Sequence, residues 1–347
     1  MFQKPDYIKV LKIAAGAGMA MALAEGMGLN YAASAGVITL LSIQDTKKET
    51  IRVMVRRLFS FGLALAFSFA CFSVFGYGAL ALGVFLLFFS GVSLVLHIPE
   101  GISVNTVLMT HFMAEQSMSF PDIANELALL TVGAGLGVLL NLYIPGKAEQ
   151  IRVKQREIES RIRGILESMA DMLSFLPREC GAQGPCSSLE RSEKLGNSLK
   201  ELESKLKEGE KNAYEEMENK LLTETKYYLR YMNMRWNQSA ALGRIAENIG
   251  HLRMLPVQSE QIAEFIRQIS ASFHEYNNAL SLLAELDRVK EDMRTQPLPD
   301  TREEFESRAV LYRILLELER FLEIKKKFVE ELTEDEIGKF WGTQGGD

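Results

Sequence analysis

The sequence predicts an all-helical protein in two parts: a six-helix transmembrane bundle over residues 1–146 and a cytoplasmic antiparallel helical bundle over 147–347. Three observations predict it. Between Leu58 and Gly146 there is no Lys or Arg, and apolar runs follow one another with short breaks. From Lys147 onward the chain carries 31 of its 39 basic and 37 of its 45 acidic residues, so the net charge of −6 lies wholly in the second part. There, apolar residues return at helical spacing and no convincing strand occurs. Two regions that meet different solvents are the economical reading, the first lipid and the second water.

The spans come in order as residues 11–29, 28–44, 58–75, 79–96, 98–113 and 123–144. The first, LKIAAGAGMAMALAEGMGL, is rich in Ala and Gly and holds one Glu. The second is short. From Gly28 to Gln44 it has seventeen residues, the low end of the spanning range. Small residues suit it to packing among other helices, and Lys47 and Lys48 can snorkel from its edge. The later breaks are tight: GYG at 76–78, HIPEG at 97–101 and EQSMSFPD at 115–122.

Positive charge sets orientation. Lys4, Lys9 and Lys12 precede the first span, Lys47, Lys48, Arg52, Arg56 and Arg57 follow the second, and Lys147, Arg152, Lys154 and Arg156 follow the sixth. Six crossings put every basic cluster on one side, with both termini in the cytoplasm of a bacterial inner membrane. An alternative for the N-terminus is a secretory signal, with basic residues, an Ala-rich core and ALA before Glu25.

Ionisable residues inside a membrane are costly and face a bundle interior or a wet path. Glu25, Glu100 and His111 are therefore candidates for a substrate path or proton coupling, with Ser34, Thr39, Ser42 and Gln44 of the second span as its polar lining. His97 and Glu126 also fall at segment margins. Glu100 and Glu126 read equally as helix-start residues that complement the helix dipole. The cluster Lys47, Lys48, Arg52, Arg56 and Arg57 is a candidate cytoplasmic anion entrance, or serves orientation alone. Gly18, Ala22 and Gly26 recur every four residues on one face of the first span, and Gly133 and Gly137 repeat that spacing in the sixth, which predicts close helix approach.

In the second part, Ile158, Ile162, Ile165, Met169, Met172 and Leu176 form a helical seam. LPRECGAQGPCSS breaks it at 176–188, and helical stretches follow at about 189–222, 224–254 and 257–294, with breaks near Gly209 and Pro256. Asp300 or Thr301 caps a last long helix that runs to about Leu332. Four to six helices are expected. KYYLRYMNMRW at 226–236 offers Tyr227, Tyr228, Arg230, Tyr231, Arg235 and Trp236 as a candidate aromatic-anion site, or else as a helix with a core aromatic face and solvated arginines.

Cys71 reads as a packing residue, and Cys180 and Cys186, with five residues between them and no nearby His, do not match a zinc pattern. No hydrolase, kinase or metal motif appears, no cofactor is implied, and the acidic second part argues against nucleic acid.

The segments YAASAGVITLLSIQDTKKETIRVMVRRL, HIPEGISVNTVLMTHF and NELALLTVGAGLGVLLNLYIP, in this order, resemble the bacterial aromatic acid exporter family, its small six-span branch. The likeness covers nearly the whole chain as a layout and is most specific at residues 31–57. It implies six spans followed by a helical cytoplasmic domain, and no catalytic or binding residue is carried over from it. Related exporters with two membrane units in one chain imply a homodimer, and wider relatives include fusaric-acid resistance proteins and plant anion channels. The expected function is export of small organic anions, with aromatic carboxylic acids the expected class, through the lipid bilayer, with proton coupling. A passive anion channel and a non-transporting scaffold or sensor are the alternatives.

Overall fold

The computed structural model describes residues 7–143, 148–174, 185–220 and 226–342, and among them every regular element is a helix. The chain divides into two compact units. One comprises Met1–Gly146 with Glu218–Glu224, and the other Lys147–Met217 with Thr225–Asp347.

The first unit holds α1 (Tyr7–Gly26), α2 (Ala33–Ser42), α3 (Lys47–Phe75), α4 (Ala79–Val95), α5 (Ile102–Glu115) and α6 (Phe120–Leu142), with a 3-10 turn at Pro99–Gly101 leading into α5. Two of these ends differ from the sequence reading. α3 begins at Lys47 instead of residue 58, because Thr46 accepts a hydrogen bond from the Glu49 amide and caps it. The basic stretch is rich in good helix formers, so charge moves the residues out of lipid without ending the helix. α2 covers only ten residues, about 15 Å of rise, where residues 28–44 were expected. Gly28 and Tyr31 both have positive φ and turn the chain between α1 and α2. α3 and α6 are long and apolar enough to cross a membrane, while α2 and α4 are apolar but shorter.

α2 packs against α1 and α6. The approach to α6 is close because α6 offers no side chain there. A Cβ on Gly133 would stand 2.6 Å from Ile38 Cβ and 2.7 Å from the Ala35 carbonyl, and one on Gly137 would stand 2.7 Å from Ser42 Cβ. On α1 the four-residue repeat is right in spacing and wrong in phase. Gly18 and Gly26 meet nothing within 4 Å and Ala22 is exposed, whereas Gly16, Ala20 and Ala24 are buried. The unit also inverts the usual distribution: Phe69, Leu87, Phe88 and Leu139 are exposed, while Thr39, Ser60, Asn105 and Glu126 are buried.

The second unit holds α7 (Ala148–Ser174), α8 (Pro185–Asn219) as far as Met217, α9 (Tyr227–Gly250), α10 (Gln258–Ala271), α11 (Leu280–Thr295), α12 (Arg302–Glu330) and α13 (Glu334–Phe340). Its principal pairs are α9 with α12 and α7 with α10. Ile158, Ile162, Ile165 and Met169 are buried along α7 as their spacing requires, Met172 is half-buried, and Leu176 lies outside the described residues. Seven helices occur among the described residues instead of four to six, because the stretch 257–294 divides in two and α13 follows the last long helix. α8 runs straight through Gly209, whose bare Cα sits against Met232. The stretch 257–294 is two helices, because Asn277 and Asn278 accept from the amides of Ala279 and Leu280 and hold Ala279 in a left-handed conformation. Of the two capping candidates for α12 it is Thr301 that accepts from the Glu304 amide. Cys71 is buried and free, and Lys4, Lys147, Cys180 and the side chain of Cys186 lie outside the described residues.

Candidate functional site

Two layers of buried polar groups lie in the first unit, one at each end of α2. At the N-terminal end, Ser34 Oγ is 3.2 Å from His111 Nε2, and His111 Nδ1 is 2.7 Å from Glu126 Oε2. His111 is 8% exposed and Glu126 2%. Asn125 Nδ2 donates to Glu126 Oε1 at 3.0 Å and to the Asn30 carbonyl, while its Oδ1 accepts from the Asn30 amide. Tyr31 stacks on the His111 ring with centroids 4.1 Å apart and planes 5° from parallel, and its hydroxyl donates to Glu115 at 2.8 Å. An imidazole with its single proton on Nδ1 donates there to Glu126 and accepts at Nε2 from the Ser34 hydroxyl. Once protonated it donates on both sides, and the hydroxyl must turn. The chain Ser34–His111–Glu126 therefore has two hydrogen-bonded states that differ by one proton.

At the C-terminal end, Arg57 is only 5% exposed. Its NH1 donates to Ser42 Oγ (2.7 Å), NH2 to the Leu41 carbonyl (3.0 Å) and Nε to the Glu100 carbonyl (3.1 Å). The Glu100 carboxylate is bonded to Arg56 at 2.7 Å. Asn141 of α6 closes the layer, donating to the Gln44 carbonyl and to Thr50 Oγ1. From Ser34 to Ser42 the rise along α2 is about 12 Å.

The structure sorts the sequence candidates. His111, Ser34 and Ser42 sit in the two layers, and Glu100 borders the second. Thr39 is buried between them and donates to the carbonyls of Ala35 and Gly133, a packing role. Glu25 is exposed and the Gln44 side chain donates to the Leu41 carbonyl one turn back, so Gln44 enters the second layer by its backbone carbonyl alone. Of the basic cluster, Lys47 and Lys48 are half-buried in the first turn of α3, Arg52 pairs with Glu49, Arg56 pairs with Glu100, and Arg57 alone turns inward.

Glu126 was legible as a helix-start residue. That role belongs to Ser119 and Asp122, which form a capping box at the start of α6 and leave Glu126 a turn further on. Its signal was phase: Glu126, Leu130, Gly133 and Gly137 share one face of α6, all buried.

In the second unit the aromatic stretch divides by depth. Tyr227, Tyr228, Tyr231 and Arg235 are buried, Arg230 is half-buried and Trp236 is exposed. Arg235, which a helix with a core aromatic face would leave solvated, is 0% exposed: it bonds Glu159, the Tyr231 hydroxyl (2.9 Å) and Gln238 (2.9 Å). Burial raises the Tyr231 and Tyr227 hydroxyl pKa values well above the ordinary range. Lys325, also buried, donates to the Glu275 carbonyl, and burial followed by the nearby Arg235 charge pushes it down to about 7. These residues form a polar network inside the core. Arg230 pairs with Glu336 and lines an open groove of about 500 Å³ between α9 and α12 with Arg244, Arg320 and Lys327. Among the described residues no group of His, Cys, Asp or Glu is placed to hold a metal.

Comparison with known proteins matches both units. A family model described as aromatic acid exporter family member 1 matches residues 7–144, and one described as putative aromatic acid exporter C-terminal domain matches residues 148–326. An uncharacterized protein of Bacillus subtilis (strain 168), YqjA, is 30% identical over 320 residues, 92% of this chain and 95% of that protein. A crystal structure of a putative membrane protein from Clostridium difficile 630 aligns with 53% of this chain and 99% of its own, at 26% identity and a TM-score of 0.44.

Proposed function

The chain belongs to the aromatic acid exporter family, and from that premise we propose that it is an integral membrane exporter of organic anions, chiefly aromatic carboxylates, driven by protons. Membership implies a membrane location and a transporter rather than an enzyme. Six crossings by α1–α6 accord with where the basic ends meet. Lys9 pairs with Asp45 at 2.6 Å and Lys12 donates to the Tyr143 carbonyl at 2.6 Å, so the start of α1, the α2–α3 turn and the end of α6 share one end of the unit. The positive-inside tendency makes that end cytoplasmic, in the inner membrane. The exposed apolar side chains of α3, α4 and α6 suit contact with lipid.

The observation that carries proton coupling is the buried His111–Glu126 pair. A carboxylate and a neutral imidazole in contact away from water take up one proton to become a pair with no net charge, and that proton is the one carried. In this scheme the chain loads a proton from the outer side as the anion leaves and releases it inward. The cations Lys47, Lys48, Arg52 and Arg56 raise anion concentration at the cytoplasmic mouth, the second unit is cytoplasmic, and the working form is a homodimer.

The test is retention of radiolabelled benzoate, 4-hydroxybenzoate and salicylate in cells with and without the gene, followed by flux in proteoliposomes. Expected are faster efflux with the gene and flux that grows with an inward proton gradient. Equal efflux for the whole panel would defeat the export reading, and equal flux with and without the gradient would defeat the coupling.

A further inference from the structure

We infer that Arg57 receives the carboxylate of the transported anion, in a site made with Ser42 and Ser60 at the cytoplasmic end of α2. The identity of the ligand rests on the export reading; the site rests on the charge and bonding around Arg57.

Arg57 is a buried cation with no carboxylate bonded to it; the Glu100 carboxylate acts on it from beyond bonding distance, bonds Arg56 through Oε1 and leaves Oε2 without a partner. Each of its three nitrogens bonds a neutral oxygen, of Ser42, Leu41 or Glu100, and among the described residues no carboxylate lies within 4.0 Å of it. The Glu100 carboxylate is engaged by Arg56, so Arg56, Arg57 and Glu100 together leave one positive charge over. Buried charges are normally paired, because desolvation is costly and neutral acceptors return only part of it. Orientation in the membrane does not account for this residue, since surface cations serve it equally well and Arg52 and Arg56 beside it remain accessible.

The surroundings are also incomplete. Ser60, one turn along α3, is fully buried and its hydroxyl has no hydrogen-bond partner. Asn105 donates to the Arg57 carbonyl at 3.3 Å, which fixes the backbone that carries the guanidinium. Gly101 lies against Ser60, where a Cβ would come within 2.2 Å of Oγ, so the position holds no side chain that could satisfy the hydroxyl. An incoming oxyanion supplies what both groups lack: an acceptor for Ser60 and a negative charge for Arg57.

The chemistry favours a carboxylate. NH1 and NH2 form a fork that matches two carboxylate oxygens. In this conformation the fork is closed by Ser42 Oγ and the Leu41 carbonyl, both at the end of α2. A carboxylate takes their place with the same two donors and adds charge to the bond. Anion arrival therefore frees the C-terminal end of the helix whose N-terminal end holds Ser34 against His111. The anion site and the proton-carrying chain address one ten-residue element.

The experiment is equilibrium binding of radiolabelled benzoate to full-length protein in detergent, with benzamide as the neutral competitor and thermal melting in parallel. Wild type is expected to bind benzoate and not benzamide. Arg57→Gln should weaken binding at least tenfold without lowering the melting temperature, because it removes an uncompensated buried charge, and Arg57→Lys should weaken it less. Ser42→Asp places a carboxylate on Arg57 from within, and should raise the melting temperature while abolishing benzoate binding. Wild-type protein that binds no benzoate, or Arg57→Gln and Ser42→Asp proteins that bind it as wild type does, overturns the proposal. Export by wild type together with unaffected variants removes Arg57 and leaves the export reading standing. Loss of binding in both variants of a protein that exports nothing supports the site and removes the export reading.

Discussion

The imidazole of His111 lies 2.7 Å from the Glu126 carboxylate, between α5 and α6, with both side chains buried. Removing either side chain leaves the other's polar group buried without this partner.

Glu126→Gln keeps the shape and a hydrogen-bonding oxygen but removes the titrating group. Flux in proteoliposomes is expected to lose its dependence on the proton gradient, falling at least tenfold under a gradient. His111→Ala is expected to be the more damaging to folding, since it strands Glu126. A loss of about 3 kcal/mol, of the size measured when one partner of a buried pair is removed, would appear as a lower melting temperature. Restoration of the melting temperature by a second change, Glu126→Gln, checks that the cause is the stranded charge.

Gly133 tests the α2–α6 contact. Gly133→Ala drives a Cβ into Ile38 and the Ala35 carbonyl, and overpacking of this kind costs about 1–3 kcal/mol. Gly135→Ala, two residues away with nothing within 4 Å, is expected to be neutral or slightly stabilising. Melting curves of the two variants in the same detergent give the comparison.

Arg235→Met in the second unit leaves Glu159 buried without its guanidinium and is expected to cost about 3–5 kcal/mol. Replacing both, Arg235→Met with Glu159→Leu, should recover most of that, as removal of an entire buried pair tends to do. Thermal denaturation of the single and double variants decides it.

Lys325 gives a pH dependence with a definite sign. Its folded-state pKa is lowered to about 7 from 10.5, by burial and then by the Arg235 charge, so between those values the unfolded chain binds the extra proton. Stability from this residue is thus least below about pH 7 and rises with pH toward 10.5, by up to about 1.4 kcal/mol per pH unit. Lys325→Met should flatten the rise of melting temperature between pH 7 and 9. An unchanged slope would show that the lysine does not titrate there.

What the sequence made legible was periodic or compositional. Burial at Ile158, Ile162, Ile165 and Met169 follows from spacing alone, and His111 stood out as an ionisable group in an apolar run. The missed features depend on phase and on competition between neighbours. Arg57 reads as one of five equivalent cations until it is set in the helical wheel of α3, where it shares a face with Val53, Ser60, Phe61 and Ala64, all buried. Nothing in composition distinguishes it from Arg56. Glu126 was hidden by the acidic start of its helix, and Gly209 promised a break that packing against Met232 made unnecessary. α2 starts late, after a turn with positive φ at Tyr31 that no propensity of tyrosine suggests, and stops at Ser42 before an extended Ile43.

The shortness of α2 has an electrical consequence. Its two polar layers are about 12 Å apart, roughly two fifths of a ~30 Å hydrocarbon core. A unit charge moved over that interval samples the same fraction of the membrane voltage, about 0.9 kcal/mol per 100 mV. An outgoing carboxylate and an incoming proton carry current in the same direction. In the exchange proposed above, the two movements together are electrogenic, and an interior-negative potential would drive them even when the pH is equal on both sides.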